Sequence, residues 1–190
     1  SSQLTVAQTF NNDGSGTVSV NTGGRIDGAI EYKNTGSNGL TDAIVKVKFD
    51  GSGLDASTIK LNSGAYDPVT NTISWTGASL PELKRILPGT GGKIAYSFNI
   101  LASESFPLAP NGKNQQLIAT ASLDSPDLPK PTGQTRQVIS DRFLLPITTD
   151  VLLGIDAFYD DGRLGITSTG PLPPKVGEQT TYTLRTRIGS

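Results

Sequence analysis

Residues 43–49 read Ala43-Ile44-Val45-Lys46-Val47-Lys48-Phe49. Ala43, Val45, Val47 and Phe49 fall on one side of an extended chain, Lys46 and Lys48 on the other. Side chains alternate faces along a strand, so the stretch predicts one core face and one solvent face. Residues 93–100, KIAYSFNI, repeat the logic, with Ile94, Tyr96, Phe98 and Ile100 inward and Lys93, Ser97 and Asn99 outward. Further strands are expected over 28–33, 57–61, 71–76, 115–123 and 136–140, and 4–10 is expected to pair with 16–20. Gly (22), Pro (12) and many Ser, Thr and Asn punctuate these runs. Many short strands with turn signals between them are the all-β pattern.

One short helical turn is expected in SLPELKRILPG. Ser79 stands three residues before Glu82, the spacing of a capping box. Pro81 suits a first helical turn and Pro88-Gly89 ends it. The turn reads as a crossover between two sheets. Residues 124–135, DSPDLPKPTGQT, read as a Pro-rich, mobile surface loop between the last two strands, and 143–150 as the exit from the first domain. Residues 1–148 are therefore expected to form one immunoglobulin-like β-sandwich.

The chain then echoes itself. Thr9-Phe10-Asn11-Asn12-Asp13-Gly14 is similar to Ala157-Phe158-Tyr159-Asp160-Asp161-Gly162, and 29–33 has its place taken by 182–186. Repetition at an offset of about 150 residues means tandem domains rather than a solenoid. Residues 149–190 are accordingly expected to be the first strands of a second, incomplete sandwich. Its stiff lead-in is Pro171-Leu172-Pro173-Pro174, and its unpaired edges are a template for pairing with another chain.

In this order the motifs resemble the conserved-repeat, immunoglobulin-like module found in tandem in large bacterial cell-surface proteins. The residues that carry the resemblance are Tyr32-Lys33-Asn34-Thr35-Gly36, then Gly64-Ala65-Tyr66-Asp67 with Thr72-Ile73-Ser74-Trp75, then Leu80 and Leu87-Pro88-Gly89. Pro173-Pro174-Lys175-Val176-Gly177-Glu178 with Thr180-Thr181-Tyr182 matches the start of a following repeat. The first domain departs from the pattern in lacking that proline-rich lead-in before Tyr32. The resemblance implies an extracellular, bacterial cell-surface spacer, adhesin or surface-layer component, partnered by neighbouring repeats, with no catalytic residues to carry over.

Composition narrows the chemistry. The 190 residues hold 16 Lys+Arg against 17 Asp+Glu, a formal net charge of -1. That balance argues against a nucleic-acid surface, which shows a basic excess. No apolar run approaches the ~18 residues of a membrane-spanning helix. The absence of Met is read as a processed or excised piece. The absence of His and Cys removes the commonest general base, thiol catalysis and the usual structural zinc ligands.

Calcium is the metal to consider. Asn11, Asp13, Asp156, Asp160 and Asp161 put oxygen ligands close together in loops, as hard cations require. Asp150 could join them at the domain junction. The competing reading is turn chemistry, since Asn-Asp-Gly tolerates positive φ and the spacing fills no complete loop motif. A self-formed cross-link would need Glu31 and Lys33 buried together, but Ile30 and Tyr32 hold the core face, so Glu31 and Lys33 read as a solvated cross-strand ion pair. Trp75 shares a face with Ile73 and reads as core rather than as a sugar platform with Tyr66, Phe158 and Tyr159. Nothing in the sequence joins Glu82 and Glu104 as a glycosidase pair, and Gly89–Lys93 lacks phosphate-loop spacing. The chain is thus expected to be non-catalytic, without a cofactor unless calcium binds. Two rivals to a spacer are an adhesin-type module recognising glycan or protein through its loops, and a subunit that self-associates through 149–190.

Overall fold

The structure, a computed structural model, describes residues 4–105, 115–128, 139–148 and 152–189. Residues 129–135 of the Pro-rich loop, 136–138 of the expected strand 136–140, Asp150 and the Glu104 side chain lie outside what is described. The chain divides into two compact units, Ser1–Thr148 and Thr149–Ser190.

The first unit is an immunoglobulin-like sandwich. Its strands are β1 (Leu4–Phe10), β2 (Val20–Asn21), β3 (Arg25–Asn34), β4 (Leu40–Thr41), β5 (Ile44–Gly51), β6 (Leu54–Leu61), β7 (Ala65–Asp67), β8 (Thr72–Trp75), β9 (Arg85–Ile86), β10 (Gly91–Ile100), β11 (Gln116–Asp124) and β12 (Ile139–Thr148). One sheet has the order β1-β3-β10-β6, the other β2-β12-β11-β5-β8-β7. Every pairing within these two sheets is antiparallel except β2 with β12, which is parallel. Four strands facing a sheet whose first strand runs parallel to its last is the immunoglobulin arrangement. The departure is the β7–β8 hairpin, inserted after edge strand β6 to widen the second sheet.

The alternations decide which face each strand buries. Ala43, Val45, Val47 and Phe49 are buried, while Lys46 and Lys48 are exposed. Ile94, Tyr96, Phe98 and Ile100 are buried as expected, but so is Ser97, where β6 runs alongside it opposite Lys60. Between the sheets lies an aromatic layer. Phe10 meets Phe143 at 4.9 Å between centroids and Phe49 meets Phe98 at 5.2 Å, both edge-on. Each buried aromatic contributes roughly 1.5–3 kcal/mol, and edge-to-face pairs add about 0.5–1.5 kcal/mol. Two glycines make room for the largest rings. A Cβ on Gly28 would lie 2.7 Å from Tyr96 Cζ, and one on Gly64 would lie 2.6 Å from Trp75 Cδ1. Trp75 is fully buried, and its indole N–H donates to the Ser63 carbonyl at 2.8 Å.

Gln8 stitches the sheets along one side. It is 2% exposed, and its Nε2 donates to the Ala119 carbonyl at 3.1 Å and the Asp141 carbonyl at 2.9 Å. Its own N–H donates to Asp141 Oδ2 at 2.8 Å. A polar residue from β1 thus satisfies carbonyls of β11 and β12 on the opposite sheet.

Several expectations are corrected. The segment 16–20 does not pair with β1; β3 takes that edge, and Val20 sits opposite Ile147 on the other sheet. A parallel partner that distant in sequence leaves no turn signal between the two. The capping box does not form. Pro81–Lys84 is a single 3-10 turn whose cap is Leu80, with no side-chain cap bond, and Ser79 Oγ bonds back to Thr76 instead. One turn is too short to present the backbone N–H that a capping serine needs. It does carry the chain between sheets, from β8 to β10. Residues 143–148 are no exit: they finish β12, and Phe143, Leu145 and Ile147 are core. The described start of the Pro-rich loop is pinned, with Ser125 Oγ on the Thr41 carbonyl at 2.8 Å and the Thr41 N–H on Asp127 Oδ2 at 2.6 Å.

The fit at Gly28 is testable. Gly28→Ala should lower stability by about 1–3 kcal/mol, because Tyr96 is held by packed rings and cannot step aside. Tyr96→Phe should cost nothing measurable, since the Tyr96 hydroxyl has no protein hydrogen-bond partner among the described residues. Urea unfolding of both variants checks the pair.

Candidate functional site

The motifs that single out this sequence converge on structure rather than chemistry. Asn34, fully buried, donates from Nδ2 to the Asn38 carbonyl at 2.8 Å and the Ile86 carbonyl at 3.1 Å, and its Oδ1 accepts from the Gly36 N–H at 3.0 Å. Its backbone N–H donates to Thr90, and its carbonyl accepts from Gly89. One amide therefore ties Tyr32–Gly36 to the Leu87-Pro88-Gly89 turn, stretches far apart in sequence. Gly89–Lys93 is that turn and the start of β10. Glu31 pairs with Lys93 across the strands at 3.3 Å, not with Lys33, and both side chains are more than half exposed, at 57% and 59%. A buried cross-link chemistry has no acid–amine pair there.

The five calcium candidates fall in separate places. Asn11 and Asn12 have φ of 51° and 64°, and Asn11 Oδ1 accepts from the Asp27 N–H at 3.0 Å. Asp13 Oδ1 accepts from the Ser15 N–H at 2.7 Å; the Ser15 bonds hold its carboxyl below the usual carboxylate range. The Asp13 bond is a turn bond of the kind Asp makes with nearby backbone, whereas the Asn11 bond reaches β3, 16 residues further along the chain.

The other three candidates belong to the second unit, a hairpin of β13 (Leu152–Phe158) and β14 (Thr183–Gly189) joined by a long connection. Asp160 Oδ1 accepts from the Ser168 N–H at 3.1 Å. Asp156 pairs with Arg187 at 2.9 Å. Asp161, 3% exposed, takes Arg185 Nη2 on both oxygens, at 2.6 and 2.5 Å. Arg185 also lies over the Phe158 ring, 4.9 Å from its centroid. Two of these carboxylates are thus neutralised by guanidinium groups. Among the described residues no three His, Cys, Asp or Glu side chains come together to hold a metal.

The hairpin's two faces differ. Asp156, Phe158, Arg185 and Arg187 share one. On the other, Ile155 stands opposite Thr186 and Ala157 opposite Leu184; Ile155 is 60% exposed and Leu184 66%. In the first unit the rows at the same distance from Phe10 are Ala7 opposite Glu31 and Thr9 opposite Ala29, on the side of β1 away from buried Leu4, Gln8 and Phe10. The hairpin thus presents an apolar sheet face to solvent.

The second candidate element is the tie between the ends of the first unit. The Val18 N–H donates to Leu144 at 3.0 Å, the Leu144 N–H to Gly16 at 2.9 Å, and the Thr22 N–H to Thr148 at 3.2 Å. Thr148 Oγ1 adds a bond with Asn21 Oδ1 at 2.6 Å. Neither element was visible as a motif. The only available signal was the alternation of Ile155 and Ala157 with Asp156.

The class the fold defines is the immunoglobulin-like β-sandwich. No protein-family model and no curated protein sequence matches the chain. Solved structures similar to it include the seventh ScaB type I cohesin from Pseudobacteroides cellulosolvens, at 13% identity over 71% of this chain and 90% of that one, TM-score 0.40. The full-length major pilin SpaD from Corynebacterium diphtheriae matches at 13% identity over 82% of this chain and 37% of that one, TM-score 0.39. A family 123 glycoside hydrolase from Clostridium perfringens matches at 12% identity over 77% of this chain and 27% of that one, TM-score 0.40. Likeness at this level carries nothing about activity. Among the described residues no helix is long and apolar enough to cross a membrane.

The Asp161–Arg185 pair sets an acid limit on the hairpin. Burial alone pushes the Asp161 carboxyl up; the Arg185 hydrogen bond and charge, with the Arg163 and Leu164 N–H groups, outweigh it and leave it below its ordinary 3.8. A carboxyl lowered by folding stabilises above its ordinary value and loses that contribution as pH falls through the folded one. Amide signals of β13 and β14 should therefore broaden or shift below about pH 4, before those of the first unit. In Asp161→Asn this acid step should be absent.

Proposed function

We propose that the chain is a non-catalytic structural module of an extracellular bacterial surface protein, a spacer set in a tandem array. The observation that carries this reading is the parallel pairing of β2 with β12. A strand near the start of a domain that runs parallel to its last strand carries the chain from one pole to the other. Modules so built thread head to tail. Tension between the two ends then runs along the paired strands, and the Val18, Leu144 and Thr22 bonds must fail together rather than one after another. Resistance to such pulling is set by the unfolding rate, not by equilibrium stability.

The repeat supports the same reading. Phe10 ends β1 and Phe158 ends β13, each strand seven residues long. In both, an Asp three residues on accepts from the N–H two residues further, Asp13 from Ser15 and Asp161 from Arg163. We read 149–190 as the opening hairpin of a following sandwich. By that alignment Asp156 and Phe158 take the place of the core row Gln8 and Phe10, while the exposed apolar face, Ile155 with Leu184, takes the place of the outer row Ala7 and Thr9. The same exposed face favours one other reading, self-association through 149–190, which dilution in analytical ultracentrifugation would reverse.

Pulling single molecules from the two termini tests the spacer. One rupture peak should release a contour length of about 50 nm, since an extended chain spans ~3.6 Å per residue. Val18→Pro removes one tying N–H and should lower the peak force while the far-ultraviolet spectrum stays β. Peeling at low force with no peak, or a peak indifferent to Val18→Pro, would contradict the reading.

A further inference from the structure

The buried Asn34 amide leans on the Asn38 carbonyl, 2.8 Å from its Nδ2, and Asn38 is followed by Gly39. An Asn-Gly pair carries its own chemistry. The glycine nitrogen and the asparagine side-chain carbonyl are placed to close a five-membered ring, and glycine has no Cβ to hinder the approach. Whether they react depends on whether the fold leaves both groups free to meet.

Here both are free. Asn38 lies in the bend between β3 and β4 and is exposed. Neither its side-chain amide nor the Gly39 N–H has a hydrogen-bond partner among the described residues. The ladder starts only at Leu40, opposite Ile86. Space is open too: a Cβ on Gly39 would come no closer than 3.7 Å to the Ile86 carbonyl oxygen. Other described asparagines fail one condition or another. Asn71 is held by the Tyr66 hydroxyl and the Phe49 carbonyl. Asn12 precedes Asp13, whose N–H is bonded to the Phe10 carbonyl at 2.9 Å. Asn62 is exposed but precedes Ser63. A second Asn-Gly pair, Asn111-Gly112, lies outside the described residues.

We propose that Asn38-Gly39 is a self-modifying site whose product opens the fastening made by Asn34. Hydroxide takes the Gly39 N–H proton, and the nitrogen attacks Asn38 Cγ. The Cγ–Nδ2 bond breaks, ammonia leaves with a proton from water, and a succinimide closes. Water then opens the ring. Breaking the new bond to Cγ gives aspartate; breaking the old peptide bond gives isoaspartate. In isoaspartate the main chain runs through Cβ and Cγ and is one carbon longer, and the carbonyl that Asn34 held has become a free carboxylate outside it. Leu40 is buried and paired with Ile86, the other acceptor of Asn34. The added length therefore falls on the Asn38 side and draws that acceptor away. The inference rests on Asn34 and its neighbours and is independent of the spacer reading.

The test ages the full chain in mildly alkaline buffer and maps its peptides by mass spectrometry, with isoaspartyl methyltransferase labelling to separate isoaspartate from aspartate. Asn38 should react about tenfold faster than Asn62, and Gly39→Ala, which has room for its Cβ, should slow it about tenfold. The rate should rise with pH. Nuclear magnetic resonance of the aged chain should show the Asn34 side-chain amide and the Leu40 and Ile86 N–H signals displaced. Freshly prepared Asn38→Asp, which adds the charge without rerouting the chain, should leave them in place. The proposal is overturned if Asn38 stays intact, if it reacts no faster than Asn62, or if Gly39→Ala leaves the rate unchanged. It is equally overturned if the aged chain keeps its Asn34 signals, or if Asn38→Asp moves them as far.

Discussion

The separation of the two sheets is set by six rings. Phe10, Phe49, Trp75, Tyr96, Phe98 and Phe143 fill the space between them, most of the contacting pairs meeting edge-on at centroid distances from 4.9 to 6.4 Å. Packed interiors tolerate neither voids nor extra atoms, so these rings dictate what stands opposite them. Gly28 lacks a side chain because Tyr96 occupies its place. Gly64 does so because Trp75 does, and the β7–β8 hairpin closes around that indole through Ser63. The sandwich and the widened second sheet both follow from one aromatic layer.

At the margins of that layer, polar groups do the fastening. Gln8 reaches across from β1 to carbonyls of β11 and β12, and Asn34 gathers the loops at one end. Each is buried and acts through a side-chain amide, which satisfies backbone groups that would otherwise be stranded. These contacts resist sliding of one sheet past the other. With the parallel tie between β2 and β12 they make the first unit suited to bearing load along its strands. Among the described residues the second unit has no such layer: its polar face is held by Arg185, Arg187 and their carboxylates, and Ile155 and Leu184 on its other face are exposed.

Local alternation was legible in the sequence because it depends only on neighbours two residues apart. It placed β5, β10 and β11, and it oriented Lys46 and Lys48 outward. Turn chemistry at Asn11–Gly14 was legible for the same reason. Long-range partners were not. Nothing near residues 16–20 announces a parallel partner at 144–148, and local signals point only to the nearest strand. Glu31 was matched with Lys33 on its own strand, whereas its partner Lys93 sits across from it on β10. Arg185 Nη2 reaches both oxygens of Asp161 across 24 residues of sequence, which makes one apparent calcium ligand an ion-pair partner. Ser79 and Glu82 had the spacing of a cap but not the helix to use it.

A sandwich with a shared core should open as one unit, whereas two strands with an uncovered apolar face have little to hold them. Native-state hydrogen exchange of the whole chain measures this directly. The expected result is one common, slow exchange free energy for β3, β5, β10 and β11, with β13 and β14 exchanging orders of magnitude faster. Protection of β13 and β14 equal to that of β3 and β10 would contradict the account, because it would show that the hairpin already has a complete core of its own.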